Sequence, residues 1–190
     1  MTLLILMTGL LLQPAPPRDV QTVAMEGWRA ARGVASRGGA VDLLGPVNLR
    51  LRELDQLPTV SARYAETAIR AAVSAAQEER DELALLLEHA RSLSDQMALG
   101  GAPAEWPLPI DELAGELWFE VDRFAESRDA YARATTIKPS PNAWIGLARA
   151  SDRLGDTVTA CRAYAAAQNT KNLPTSVELE ISLYALKCRL

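Results

Sequence analysis

The sequence predicts an all-α protein made of antiparallel helical hairpins stacked as a short solenoid. Two observations support this prediction. From residue 59 onward, apolar residues recur at three- and four-residue spacing, the period of an amphipathic helix. Residues 111 to 169 also contain two segments of one design, and aligning Tyr131 with Tyr164 gives an offset of 33 residues. Repeats of that length are typical of helical-hairpin solenoids.

Length and composition are those of a folded globular domain. The chain has 190 residues, of which 48% are hydrophobic and 23% charged, so it can bury a substantial core. One domain is the expectation for this length. The net charge is −4, and arginines and glutamates are interspersed rather than clustered. The chain therefore carries no basic patch, and we expect no nucleic-acid partner.

Residues 1 to 17 begin with an apolar run and end in a proline-rich stretch. The run from 2 to 12 is uncharged, and as a helix it would span about 17 Å, too short for a hydrocarbon core of about 30 Å. Its length is typical of the apolar region of a signal peptide, although no Lys or Arg precedes it and Pro16 follows the Ala15 cleavage position. We expect a periplasmic or secreted protein; the alternative is a buried N-terminal helix of a cytoplasmic protein.

Residues 18 to 58 are predicted to form helices and loops. The stretch from 18 to 37 has one apolar face and four arginines, namely Arg18, Arg29, Arg32 and Arg37. We interpret these arginines as a solvated helix face, the alternative being contact with anionic lipid, so membrane contact is expected only through the N-terminal part. After Gly38-Gly39, a short amphipathic helix interrupted by Gly45-Pro46 is predicted to end before Pro58. Its apolar side would be formed by Leu49, Leu51, Leu54 and Leu57.

Residues 59 to 99 are predicted to form one helical hairpin. Thr59 or Ser61 can cap an alanine-rich first helix, and a charged stretch from 77 to 81 separates it from a leucine-rich second helix. A hairpin with Asp81 as the second cap is favoured over a single helix of about 60 Å.

The two repeated segments each have two amphipathic helices joined by a short break, at 121 to 123 in the first and at Gly155-Asp156 in the second. The second segment carries a pattern of aromatic, leucine and small residues at Trp144, Leu147, Ala148, Gly155, Ala160, Tyr164 and Ala167. The first carries it at Gly115, Phe124, Ser127, Tyr131, Ala134 and Pro139. Asp111 replaces the aromatic there, and Asp122 replaces the turn glycine. Over residues 111 to 169 this pattern resembles the tetratricopeptide repeat (TPR).

Residues 100 to 110 are predicted to be a glycine- and proline-rich linker, from which Trp106 packs back on the first repeat. Residues 111 to 190 then hold the repeats and a C-terminal helix that begins near Thr175. A stack of two repeats needs such a helix to cover its apolar end. We expect it to lie against residues 160 to 167 and to solvate that end of the solenoid.

The resemblance implies a non-enzymatic module that binds a peptide or protein segment and acts as an adaptor or assembly factor. In TPR proteins the first helix of each repeat lines the binding groove. By position, the groove residues of the first repeat are Glu112, Glu116, Phe119 and Glu120, and those of the second are Asn142, Ile145, Arg149, Asp152 and Arg153. Phe119 is the most informative, because a hairpin core gives no reason for an apolar side chain there. The acidic first repeat differs from the basic carboxylate clamp that some TPR proteins use for C-terminal peptides.

No motif for catalysis or cofactor binding is found in the sequence. HExxH, GxSxG, Walker and GxGxxG motifs are missing, and the single histidine, His89, has no partner at metal-ligand spacing. We therefore expect no catalytic residue, no metal and no cofactor. Two other functions stay open. One is a self-associating structural protein of the cell envelope, which apolar surface at Leu83 to Leu93 would favour, and the other is an enzyme with an unrecognised site.

Cys161 and Cys188 are the only cysteines of the chain. Antiparallel packing of residues 157 to 169 against 175 to 189 would bring them close together. In an exported protein, a disulfide here would stabilise the fold by about 3 kcal/mol. The alternative is two free and partly buried thiols.

Overall fold

The computed structural model describes residues 18–101, 106–170, 173 and 175–188. The N-terminal apolar run lies outside these residues, which contain helices and no strand. The helices are α1 Val20–Ala35, α2 Leu44–Asp55, α3 Val60–Ala76, α4 Arg80–Leu99, α5 Ile110–Glu120, α6 Phe124–Ile137, α7 Pro141–Arg153, α8 Thr157–Gln168 and α9 Thr175–Lys187. The prediction of an all-α protein made of packed helical hairpins is confirmed. None of the described helices is both long and apolar enough to cross a membrane.

Helix α3 is the centre of the N-terminal core, and it contacts α1, α2, α4 and α5. Thr59 begins it as predicted, since its Oγ1 accepts a hydrogen bond from the backbone N–H of Ala62 at 3.1 Å. The small side chains of α3 let the neighbouring helices approach closely. Its buried alanines stand at positions 62, 65, 68, 71, 72 and 75.

Helix α2 includes Gly45-Pro46, which the sequence indicated as an interruption. Both residues lie in the first turn, where proline is tolerated because the N–H groups of that turn have no acceptor within the helix. The packed face also differs from the prediction. Val47 and Leu54 are buried, whereas Leu49 is exposed, so the apolar stripe of α2 is narrower than the leucine pattern indicated.

The hairpin of α3 and α4 is confirmed, but the prediction that Asp81 caps α4 is wrong. The cap residue is Glu79, whose side chain makes no capping bond, while Asp81 lies in the first turn, where its charge is favourable to the helix dipole. Glu78 reverses the chain with a φ of 60°, and the N–H of Glu79 donates to the carbonyl of Ser74 at 2.9 Å. Backbone hydrogen bonds therefore close this turn.

The leucine-rich helix α4 does not present a continuous apolar surface. Leu83, Leu87 and Leu93 are buried against the core, and Leu85 is the exposed leucine of this stretch. His89 is also exposed on α4. The apolar surface at residues 83 to 93 that would favour self-association is therefore mostly used within the chain.

The linker ends where α5 begins, at Ile110. Trp106, which the sequence placed against the first repeat, keeps 40% of its surface exposed, whereas Pro107 is buried. The hydroxyl of Tyr64 donates to the carbonyl of Leu108 at 2.6 Å, so the linker is attached to α3. That contact sets the position of α5 relative to the N-terminal core.

The two repeated hairpins, α5–α6 and α7–α8, reverse the chain with the same backbone conformation. Asp122 has a φ of 60° where Gly155 has a φ of 77°, so the aspartate takes the left-handed conformation for which glycine is usual. Asp156 caps α8 as predicted, because its Oδ1 accepts a hydrogen bond from the N–H of Thr159 at 3.0 Å. Ser140 caps α7 in the same way.

Tyr131 of α6 lies between the first helices of the two repeats. A Cβ placed on Gly115 of α5 would lie 2.7 Å from the Tyr131 ring, and one on Gly146 of α7 would lie 2.2 Å from its Cζ. Both approaches are closer than any real side chain allows. The two glycines therefore determine how closely α5 and α7 approach the ring.

Helix α9 packs on α8 and is joined to it by a disulfide. Cys161 and Cys188 are bonded with a Cα–Cα distance of 5.8 Å, which resolves the two alternatives left open by the sequence. Tyr184 packs against Tyr164 with ring centroids 4.4 Å apart. The prediction that α9 solvates this end of the stack is wrong, however. Helix α9 has two apolar faces, and α8 covers only one of them. The exposed side chains are Leu179, Leu183 and Leu186, at 61%, 61% and 65%.

Candidate groove between the two repeats

A cavity of about 380 Å³ lies between α5 and α7, a size within the range of ligand pockets. The C-terminal part of α1 and Val177 of α9 complete its wall. Of the groove residues predicted by position, those that line the cavity are Glu112, Glu116, Phe119, Glu120, Asn142, Ile145 and Arg149. Asp152 and Arg153 do not line it.

Three glutamates form the α5 wall of the cavity. Glu112, Glu116 and Glu120 are four residues apart, so they stand one above another on the same helix face. Glu112 is only 7% exposed, and its Oε1 accepts a hydrogen bond from Ser140 Oγ at 2.8 Å. Ser140 is also the cap of α7, so this bond joins the two helices that form the cavity.

Arg32 of α1 supplies a cation that the sequence did not place in the groove. Its guanidinium forms an ion pair with Glu120 and a second with Glu116, for which the Nη2–Oε1 distance is 3.3 Å. The same guanidinium lies over the Trp28 ring, 5.7 Å from its centroid. Nothing in the repeat pattern could reveal this contact, because Arg32 belongs to a helix outside the repeats.

The pKa of Glu116 is raised above that of an ordinary glutamate. Burial is the main cause, because it disfavours the charged form, and the charges of Glu120 and Glu112 add to it. Arg32 opposes the rise. The rise therefore reflects the burial of this carboxyl more than any single neighbouring charge.

The α7 wall is mainly uncharged, and its one cation is already engaged. Ile145 is buried and Asn142 is exposed at the rim. Arg149 forms two bonds with Glu180 of α9, Nη2 to Oε2 at 2.5 Å and Nε to Oε1 at 2.8 Å. Tyr164 also donates to Glu180 Oε1, at 2.7 Å. Arg149 thus connects the groove to the C-terminal helix.

Phe119 is half-buried in the wall of the recess. Its ring packs against the edge of Phe124 in the next helix, with centroids 5.2 Å apart. Arg153 covers the other ring of the pair, its guanidinium carbon lying 4.4 Å from the Phe124 centroid. Phe119 therefore has a packing role in addition to lining the cavity, which the sequence did not indicate.

Asp152 connects α7 to α9 instead of lining the groove. Its Oδ1 accepts hydrogen bonds from Lys187 Nζ at 2.6 Å and from Tyr184 Oη at 2.5 Å. Those two bonds, the Lys187 bond first, lower the pKa of the Asp152 carboxyl. The assignment of this residue to the groove by repeat position is corrected, because its carboxylate is bonded to two side chains of α9 and does not line the cavity.

Asp111 stands at the position where the second repeat has Trp144, and it has a different structural role. The side chain is buried, and its Oδ1 accepts from Arg91 Nη2 of α4 at 2.7 Å and from Arg133 Nε of α6 at 3.0 Å. One carboxylate thus holds three helices together, where an aromatic ring could form no ion pair.

The described residues contain no group of three or more His, Cys, Asp or Glu side chains arranged to hold a metal ion. The recess is lined by three carboxylates, by two guanidinium groups and by the rings of Phe119 and Tyr131. Comparison with models of protein families, with curated proteins and with solved structures finds no match for this chain.

Proposed function

We propose that this protein is a non-enzymatic, TPR-like adaptor or assembly factor that binds a peptide or protein segment in the recess between α5 and α7. One observation carries the proposal. Groove residues chosen from the repeat pattern alone, on two different hairpins, line a single cavity of about 380 Å³. A partner segment in this cavity would contact side chains of both repeats at once.

Export fits the same proposal. Cys161 and Cys188 form a disulfide, and structural disulfides are common in oxidising compartments and rare in the cytosol. The apolar segment at the N-terminus has the length of a signal-peptide core. Both features favour a periplasmic or secreted adaptor.

The proposal is tested by affinity capture from the cell envelope with the tagged full chain. Wild type is compared with Phe119→Ala/Asn142→Ala, which removes two groove contacts, and with Glu88→Ala on the exposed face of α4 as a matched control. We expect a partner that wild type and Glu88→Ala recover equally and that the groove variant loses. Equal recovery of the partner by all three proteins would show that the groove does not bind it. Circular dichroism checks that the groove variant is folded.

Self-association is the second candidate function, and the exposed leucines of α9 favour it. Leu179, Leu183 and Leu186 form an apolar stripe at the open end of the stack. In this alternative the protein is a structural component of the envelope, and a second copy of the chain is its partner.

A further inference from the structure

We propose that the recess selects a basic segment, and that Arg32 occupies the position that a lysine or arginine of the partner takes. This inference rests on the proposed function, because it names the chemistry of the segment that the groove binds. Arg32, which belongs to α1, would then compete with the partner's cation for the glutamates of α5. Three observations support it: the charge balance of the recess, the placement of Arg32 and the spacing of the α5 glutamates.

The charge balance of the recess is negative. Glu112, Glu116 and Glu120 face it from α5. Arg32 is ion-paired with both Glu116 and Glu120. Arg149 is already paired with Glu180 of α9. Among the described residues, no Lys or Arg is ion-paired with Glu112, which accepts only the Ser140 hydrogen bond. A carboxylate that is this buried gains most from a cation brought into contact with it.

The placement of Arg32 demonstrates that a guanidinium fits the recess. It contacts Glu116 and Glu120 while it lies over Trp28, so both carboxylate and aromatic partners are in position. About a third of the Arg32 side chain, 33%, is exposed, so it can move into water without breaking the core. A partner cation that replaced it would regain the same ion pairs.

The spacing of the glutamates matches an extended peptide. Successive carboxylates four residues apart rise about 6 Å along the helix, and alternate side chains of an extended chain are about 6.7 Å apart. Phe119 and Ile145 provide apolar contacts beside them. The expected partner therefore has a lysine or arginine with further basic or apolar side chains at alternate positions.

The test is selection of a random nine-residue peptide library on the immobilised full chain, followed by fluorescence anisotropy with the selected peptides. We expect enrichment of lysine and arginine. We also expect Glu112→Gln/Glu116→Gln to weaken binding about tenfold, because charged hydrogen bonds are lost while the shape of the wall is kept. Higher salt should weaken the wild-type complex. Arg32→Gln should tighten it about threefold, and Glu88→Gln on α4 should leave it unchanged.

Other outcomes separate this inference from the proposed function. Selection of acidic or purely apolar peptides, lost in Phe119→Ala but not in Glu112→Gln/Glu116→Gln, overturns the basic preference and leaves the groove in place. Weaker binding in Arg32→Gln overturns the role of Arg32 as a competitor. A library that yields no binder overturns both the basic preference and the peptide-binding function.

Discussion

At the scale of single residues, Glu116 should report on the electrostatics of the recess. Its folded pKa lies above the unfolded value because of burial, with Arg32 opposing the shift. The folded state therefore holds the proton more tightly, and the stability that this adds at acid pH is lost as the pH rises through the raised pKa. Glu116 thus weakens the fold at neutral pH.

We predict that Glu116→Gln is more stable than wild type at pH 7, because the glutamine carries no charge to bury. The difference should vanish near pH 3, more than one unit below the ordinary glutamate pKa of about 4.3, where the wild-type carboxyl is protonated in both states. Urea unfolding at both pH values measures this. A variant less stable at pH 7 would mean that the ion pair with Arg32 outweighs the burial of the charge.

Two buried serines provide a matched pair of stability predictions. Ser151 is fully buried, and its Oγ has no hydrogen-bond partner among the described residues, so Ser151→Ala should stabilise the protein by about 0.5–1 kcal/mol. Ser127 is equally buried, but its Oγ donates to the carbonyl of Gly115 at 2.7 Å. Ser127→Ala should cost about 1 kcal/mol. Changes of the same sign in urea unfolding would contradict this account.

At the scale of elements, α9 depends on the disulfide more than the other helices depend on any one bond. It packs on α8 alone among the helices, and its remaining attachments are polar contacts to Arg149 and Asp152 of α7. Exposed ion pairs contribute little on their own. Cross-linking Cys161 to Cys188 should therefore add substantially to the packing of Ile181 and Tyr184 in holding this helix.

We predict that Cys161→Ser/Cys188→Ser releases α9 locally, with a loss of about 3 kcal/mol in the protection of that helix. Amide hydrogen exchange measures it. Residues 175 to 187 should exchange faster, while α3, which does not contact α9, serves as the internal control and should be unchanged. Unchanged exchange in α9 would show that the polar contacts to α7 are sufficient to hold it.

At the scale of the whole molecule, self-association through the end of the stack formed by α9 would distinguish the two candidate functions. Leu179, Leu183 and Leu186 expose an apolar stripe on α9. Three leucines bury far less than the roughly 1,000 Å² that a stable interface needs. Weak association is therefore the expectation, unless other surface contributes.

We predict that the chain is monomeric at about 10 μM in sedimentation velocity, because the apolar stripe alone is too small for a tight dimer. Leu183→Glu should be monomeric at every concentration. A wild-type dimer that is stable at this concentration and is abolished by Leu183→Glu would favour the structural role over the adaptor. Exposed Glu178, which directly precedes the stripe residue Leu179, offers Glu178→Gln as a control for changes of charge.

Much of the architecture was determined by local sequence. The period of 33 residues and the helical spacing of apolar residues predicted the hairpins, and Thr59 and Asp156 predicted two of the caps. Such features depend on contacts within a few residues, which sequence patterns record directly. The same periodicity also selected most residues of the groove, because equivalent repeat positions face the same side.

Only the tertiary structure decided which element covers each exposed face. Arg32 of α1 forms ion pairs in the recess, and Asp152 accepts a hydrogen bond from Lys187 of α9. Asp111 connects three helices through Arg91 and Arg133. No local sequence pattern marks these contacts. The apolar pattern of α9 was visible in the sequence, but which of its two faces packs on α8 was not. Periodicity specifies which side chains share a face, whereas the partner of that face depends on long-range packing and charge pairing between distant segments.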